Sequence, residues 1–281
     1  MFFIEIVKQA IIEEENRNFT KALNLFNHAL TFAKSESTIT KLQARKAWCL
    51  HYVGNHSEAY KLFQKLLKEH KNHPTSYLLT GFYLIKTGKL KEAKKVLTEG
   101  KSKFPNYLEL YLTLASLLTD TQRSNEAIDI LKEALAREKL VRAKGIEKKD
   151  IWAYLGTLYF ERSNYNSSIV SLKKSLNLYH EEYFPLFDLL AKCYLKINDP
   201  TNAIKYIDLR LAYYSEDPED YIIKARAHSR LGEHHLASSS LLQAYSLENY
   251  LKLNAEDMVD FSYLLQSGFF NALEDVEFEE S

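Results

Sequence analysis

A three-point pattern recurs along this chain at nearly one period, and it restricts the fold more than any other feature. A small residue stands at Ala10, Ala47, Gly81, Ala115, Gly156, Ala191 and Ala225. Twelve positions after each comes a second one, at Ala22, Ala59, Ala93, Ala127, Ser168, Ala203 and Ala237. Four further on stands a large apolar residue: Phe26, Phe63, Leu97, Leu131, Leu172, Ile207 and Leu241. The first series advances by 37, 34, 34, 41, 35 and 34 residues. Small residues let two helix backbones approach closely, and the large residue fills the space beside that contact. Turn formers lie between the two small positions. Gly54, Gly88 and Gly232 fall seven after their small residues, and Asn18, Asn164 and Asn198 take similar ground in other units. Glycine and asparagine tolerate the left-handed backbone that closes a helix, so each unit reads as helix, tight turn, helix. One hairpin is too thin to bury its own apolar face. Stacked neighbours bury it, which predicts an all-α solenoid.

Trp152, Leu155, Gly156 and Tyr159 reproduce the W-x2-L-G-x2-Y signature that opens a tetratricopeptide repeat. The segment from Pro74, with Tyr77, Gly81, Ala93, Leu97 and Pro105, follows the same pattern, as do Tyr111, Leu114, Ala115, Ala127 and Ala134. On these residues the chain resembles the tetratricopeptide repeat family. The resemblance implies a right-handed α-solenoid of about seven helical hairpins plus a C-terminal capping helix. The hairpins are placed near 3–36, 40–73, 74–107, 108–141, 149–182, 184–217 and 218–251. Four of them thus occupy 3–141 and three occupy 149–251. Gln9 and Glu13 replace the leucine and aromatic of the signature in the first hairpin, which suits the polar outer face of a cap. Ser168 and Ser175 replace alanines, and Arg210 stands where a small residue is usual.

Two segments interrupt the period. Extra residues in LAREKLVRAKGIEKKD predict a lengthened helix ending around Lys144, a turn at Gly145 and a new start capped by Asp150. Residues 142–148 are therefore an insertion, either a surface loop or a hinge between two halves. Residues 253–281 contain no Lys or Arg but carry eight acidic residues, from Glu256, Asp257 and Asp260 to Glu280. Within 252–267, Asn254 to Gln266 reads as a capping helix with Met258, Phe261, Leu264 and Leu265 facing the last hairpin. Beyond it, 268–281 reads as an acidic, mobile tail.

Composition narrows function by exclusion. Thirty-seven basic residues balance thirty-seven acidic ones, without the basic excess that phosphate binding favours. Two distant cysteines, Cys49 and Cys193, suit a reducing compartment and read as buried small hydrophobes. The N-terminal segment lacks the basic-then-apolar order of a signal peptide, and no long uncharged apolar run predicts a membrane span. The cytoplasm is the expected location. No nucleotide loop, serine elbow or zinc spacing is present. His70 with His73, and His234 with His235, lack further ligands at metal spacing. The reading is a non-enzymatic chain with no metal, cofactor or small-molecule substrate.

What remains is surface. In the tetratricopeptide family the first helix of each hairpin lines a concave groove that holds extended peptides. Carried over, the groove positions fall on Lys41, Ala44, Trp48, His51 and Tyr52, then on Thr75, Leu78, Phe82, Ile85 and Lys86. In the sixth and seventh hairpins they fall on Asp188, Lys192, Leu195 and Lys196, then on Glu219, Ile222, Arg226, Ser229 and Arg230. The candidate site is therefore an aromatic part, Trp48, Tyr52, Phe82 and Ile85, and a basic part, Lys192, Lys196, Arg226 and Arg230. Each basic pair lies four apart on one helix face and suits carboxylates; pairing with Asp188 and Glu219 is the plainer alternative. Trp48 and Phe82 equally suit inter-hairpin packing. The carboxylate clamp of chaperone-binding relatives is not expected, because Leu78 and Phe82 occupy its positions in the third hairpin. The expected partner is another protein, bound through an extended segment of apolar and acidic character. Self-regulation or self-assembly through the acidic tail is one alternative, and RNA binding by a helical repeat is another.

Overall fold

The computed structural model describes residues 2–137, 148–178, 185–214, 216–273 and 276–278. It comprises two compact units, Met1–Glu147 and Lys148–Ser281. The first unit contains α1 (Phe2–Glu15), α2 (Phe19–Leu30), α3 (Glu36–Tyr52), α4 (His56–Glu69), α5 (Pro74–Lys86), α6 (Leu90–Lys103), α7 (Leu108–Asp120) and α8 (Ser124–Leu135). The second contains α9 (Lys148–Glu161), α10 (Tyr165–Leu176), α11 (Pro185–Lys196), α12 (Pro200–Leu211), α13 (Pro218–Arg230) and α14 (His234–Glu248). Consecutive helices pair into seven hairpins among the described residues, as the period predicts. Residues 138–147, which hold the anticipated turn at Gly145, lie outside the described residues; α9 is already helical at Lys148.

The three-point pattern is one packing contact repeated. Every residue of all three series is buried. The contact is tight enough that a Cβ on Gly81 would stand 2.4 Å from Leu97 Cδ2, and one on Gly156 would stand 2.5 Å from Leu172 Cδ2. The first small residue of each hairpin thus accepts the large side chain of the opposite helix. Ser168, at the second small position, remains compatible because its Oγ donates to the Gly156 carbonyl at 2.7 Å. Cys193 Sγ lies 3.2 Å from the same hydroxyl, inside the core that joins α10, α11 and α12.

The turns are equally regular. Seven residues after each first small position, the backbone is left-handed: Arg17, Gly54, Gly88, Gln122, Ser163, Asn198 and Gly232 have φ between 56° and 91°. The amide of the next residue then reaches back five positions, as in Asn18 N to Glu13 O at 2.8 Å and Arg123 N to Leu118 O at 2.7 Å. Such a bond satisfies a carbonyl that the ending helix would otherwise leave unpaired. In the first and fifth hairpins the left-handed residue is Arg17 or Ser163, one position before the asparagines expected there. Asn164 instead accepts the Ser167 amide through its side chain, as a helix N-cap.

Within the first unit, α3 touches α5 and α5 touches α7 directly. The second helices are bridged by long side chains at a spacing of 32 residues. Tyr60 donates to Glu92 at 2.7 Å, Lys94 meets Glu126 at 3.2 Å, and Lys101 meets Glu133. This places the first helices on the inner side of the stack. Glu13 departs from the anticipated polar outer face. It is only 5% exposed and turns into the first hairpin, where Gln9, Asn18 and Lys21 donate to it. The Lys21 and Asn18 hydrogen bonds hold its carboxyl below the usual range.

After α14 the chain forms β1 (Leu251–Leu253), α15 (Ala255–Asp260), α16 (Ser262–Gln266), a 3-10 helix (Phe269–Ala272) and β2 (Val276–Phe278). The capping region is therefore two short helices broken at Phe261, where one was anticipated. Asn254 starts α15 with a capping box that includes Asp257. Phe261 and Leu264 enter the core of α13 and α14 with Leu251, Leu253 and Phe270. Of the segment 268–281, Val276–Phe278 pairs in parallel with Leu251–Leu253; residues 274, 275 and 279–281 lie outside the described residues.

Candidate functional site

Of the aromatic part of the anticipated groove, Trp48 and Tyr52 belong to one ring system in the first unit. Phe19, at the start of α2, stacks on Tyr52, at the end of α3, with centroids 4.6 Å apart and planes 19° apart. Tyr52 stacks on Trp48 at 5.9 Å. Trp48 then meets Tyr83 of α5 edge-on at 5.2 Å and Phe63 of α4 at 6.0 Å. Phe63 and Tyr83 stack at 4.3 Å inside the core. The rings thus run from core to solvent, and Trp48 is the half-buried link between the two. Tyr52 is 57% exposed and Phe82 is 42% exposed, while Ile85 is half-buried. Aromatic rings held from below present area without losing further rotamer freedom on binding.

Two histidines border these rings. His51 Nδ1 lies 3.0 Å from His56 Nδ1, and the His51 ring meets Tyr83 edge-on at 5.6 Å. Burial and the neighbouring His56 hold the His51 imidazole below its ordinary range. The sequence reading placed Phe63 in the repeat contact but not beneath the groove, and it missed Phe19, His56 and Tyr83, which lie outside the groove positions. The signal available was the density of aromatics around the second hairpin.

The basic part is in the second unit, and carboxylates of the same chain already engage it. Arg226 Nε lies 2.7 Å from Asp260 Oδ2, and its terminal nitrogens meet Glu256 at 3.0 Å and Asp257 at 3.2 Å. Arg230 grips both oxygens of Asp260, at 2.7 and 2.9 Å, and also donates to the Leu195 carbonyl. Lys196 pairs with Glu256. Lys192 stands 3.5 Å from Glu219 and 3.9 Å from Asp188. The acidic side of α15 therefore meets three of the four basic residues, and Arg226 is left only 9% exposed. Burial pushes the Asp257 carboxyl above the usual carboxylate range despite Arg226.

Arg210 has a comparable role. Its guanidinium meets Asp220, Asp217 at 3.0 Å and Asp188 at 3.7 Å, which explains a large cation at a position where a small residue is usual. Burial pushes the Asp220 carboxyl up to about 6, against the pull of Arg210. The two cysteines are buried, and burial pushes Cys49 up to about 12 and Cys193 up to about 11. Neither thiol is a nucleophile near neutral pH.

The Tetratricopeptide repeat family model matches residues 84–145, from the third hairpin into the segment before α9. The TPR repeat-containing protein YpiA of Bacillus subtilis (strain 168) is 25% identical over 229 residues, 81% of this chain. Among the described residues, the helices α1 to α14 pair by one recurring contact, as such a repeat requires. The chain has the tetratricopeptide repeat fold. It spans about half the length of the curated relative, 51%. The solved tetratricopeptide structures carry the same fold at low identity. The C-terminal part of a TPR repeat-containing protein from Cytophaga hutchinsonii superposes with a TM-score of 0.60 at 16% identity, covering 82% of this chain and 89% of that one. YrrB, described as a TPR protein with an unusual peptide-binding site, gives 0.58 at 14% identity, covering 73% and 97%. Among the described residues of this chain no helix is long and apolar enough to cross a membrane.

Proposed function

We propose that this tetratricopeptide protein is a non-enzymatic scaffold whose first unit binds an extended segment of a partner protein across Trp48, Tyr52, Phe82 and Ile85. The observation that carries this reading is the ring system that ends in exposed Tyr52 and rests on the buried Phe63–Tyr83 stack. Half-buried aromatics on a rigid support are the usual anchors of a binding surface. The fold of YrrB, whose description includes a peptide-binding site, is consistent with such a use. The four basic residues are assigned to holding α15 and α13 in place. A partner carboxylate would have to displace Glu256, Asp257 and Asp260, whose neighbours Phe261 and Leu264 belong to the core. The groove ligand is accordingly apolar in character, and acidic residues are not required of it. Two buried thiols fit a reducing compartment, and the cytoplasm is the proposed location.

The test is affinity capture from extract of the source cells, comparing the wild type with Tyr52→Ala, Phe82→Ala. The variant loses the Tyr52 stacks on Phe19 and Trp48 and should melt somewhat lower, while its circular dichroism should match the wild type. Loss of a specific partner in the variant supports the groove. Retention of the same partner at equal yield would exclude these residues as its anchors.

A further inference from the structure

We propose a second interaction surface in the first unit, a cationic cleft with an apolar floor that takes an acidic peptide segment carrying an apolar anchor. The cleft lies at the seam of the first two hairpins and measures about 380 Å³, within the roughly 300–1,000 Å³ common for ligand clefts. Leu23, Leu50 and Leu62 form its floor, from α2, α3 and α4. Leu23 packs against the cores of both hairpins, so the floor is fixed by the repeat contact itself. Lys46, Lys61 and Lys65 stand around it, against the one carboxylate of the lining, Glu58.

Some lysines of the second helices meet carboxylates of the next hairpin, as Lys94 meets Glu126 and Lys101 meets Glu133. Lys46 and Lys61 have no ion pair among the described residues, and Lys65 reaches only Glu69 at 3.6 Å, with both side chains exposed. A chain with no net charge thus gathers three ammonium groups around one apolar depression. Leaving them unpaired gains nothing for the fold; an acidic ligand would gain from all three. The leucine floor selects among anions. It offers a seat to an aliphatic or aromatic side chain, while the cleft has no ring on which a nucleic acid base could stack. A segment alternating Asp or Glu with Leu or Phe satisfies rim and floor together.

This surface is separate from the aromatic groove. Lys46 precedes Trp48 by two residues, about 200° around α3, so the two sites face different ways from one helix. The proposal therefore stands or falls independently of the groove.

The experiment is a titration of the full chain with an acetylated octapeptide of alternating glutamate and leucine. Its lysine–leucine counterpart and an oligo(dT) serve as comparison probes, and amide shifts are followed by NMR. The glutamate–leucine peptide should bind with shifts at Leu23, Lys46 and Leu62 and weaken as salt rises. Lys46→Glu, Lys61→Glu should weaken it by at least roughly tenfold, with an unchanged melting temperature. Tyr52→Ala, Phe82→Ala should leave it unaffected. Equal binding by the double lysine variant, equal binding of the lysine–leucine peptide, or preference for oligo(dT) would each overturn the proposal. Loss of groove binding in the cell-extract capture with this titration intact would separate the two sites.

Discussion

Arg226 holds Asp260 at 2.7 Å across 34 residues of sequence, and so ties the segment after the last hairpin to the inner helix of that hairpin. Removing the cation would leave buried Asp257 without its ion pair and Asp260 with Arg230 alone. Arg226→Met is expected to cost the second unit about 3–5 kcal/mol. Urea denaturation followed by Trp152 fluorescence in a Trp48→Phe background would measure it. A loss below about 1 kcal/mol, the range of an exposed pair, would show that the latch contributes little.

Gly81 and Leu97 give a second expectation. A methyl group at Gly81 must displace the Leu97 side chain, so Gly81→Ala should destabilise the first unit by about 1–3 kcal/mol. Shortening the opposing residue should relieve the clash. Gly81→Ala with Leu97→Val is therefore expected to cost less than the sum of the single changes, which a double-mutant cycle would reveal. Strict additivity would count against direct contact.

The left-handed turns can be tested in both directions. Gln122 adopts φ 59° with a side chain that disfavours it, and Gln122→Gly should raise stability by up to about 1 kcal/mol. Gly88→Ala, at φ 74° in open space, should lower it by about as much, through backbone strain alone. Denaturation of the first unit followed by Trp48 would show the opposite signs.

Asp220 sets a pH dependence. Its folded pKa of about 6 lies above the ordinary 3.8, so the folded state binds the proton more tightly. The stability this provides is full below the ordinary value and is lost as pH rises through about 6. Asn cannot titrate. The stability of the wild type relative to Asp220→Asn should therefore fall between about pH 4 and pH 7, and a flat difference would contradict the burial seen here.

The repeat was legible because its three points are the contact itself: a small residue, its partner, and the large side chain between them. The turns at Gly54, Gly88 and Gly232 were legible for the same local reason. Arg17, Gln122 and Ser163 were not, since nothing in those residue types announces a left-handed backbone; the hairpin imposes it. Glu13 looked like a surface residue until Asn18 and Lys21 were seen to satisfy it inside the first hairpin. The basic residues were the hardest to read. Lys192 with Lys196, and Arg226 with Arg230, at four-residue spacing look like a vacant stripe, and only contacts 30 or more residues away show what meets Lys196, Arg226 and Arg230. The ring system was half legible: Trp48 and Tyr52 followed from groove positions and Phe63 from the repeat, whereas Phe19 and Tyr83 required the stacking of separate hairpins.

The constant left-handed turn, seven residues after each first small position, also bears on how the chain reaches its native state. Each turn closes through an amide that reaches back only five residues, and the tight contact beside it spans sixteen, as from Gly81 to Leu97. Such short loops close with little entropic penalty, so any hairpin is a possible nucleus, and neighbours can add to whichever forms first. Folding of this kind has no obligatory starting point. Damage to one hairpin delays its own closure and the docking of its neighbours, while hairpins farther along the chain can still assemble.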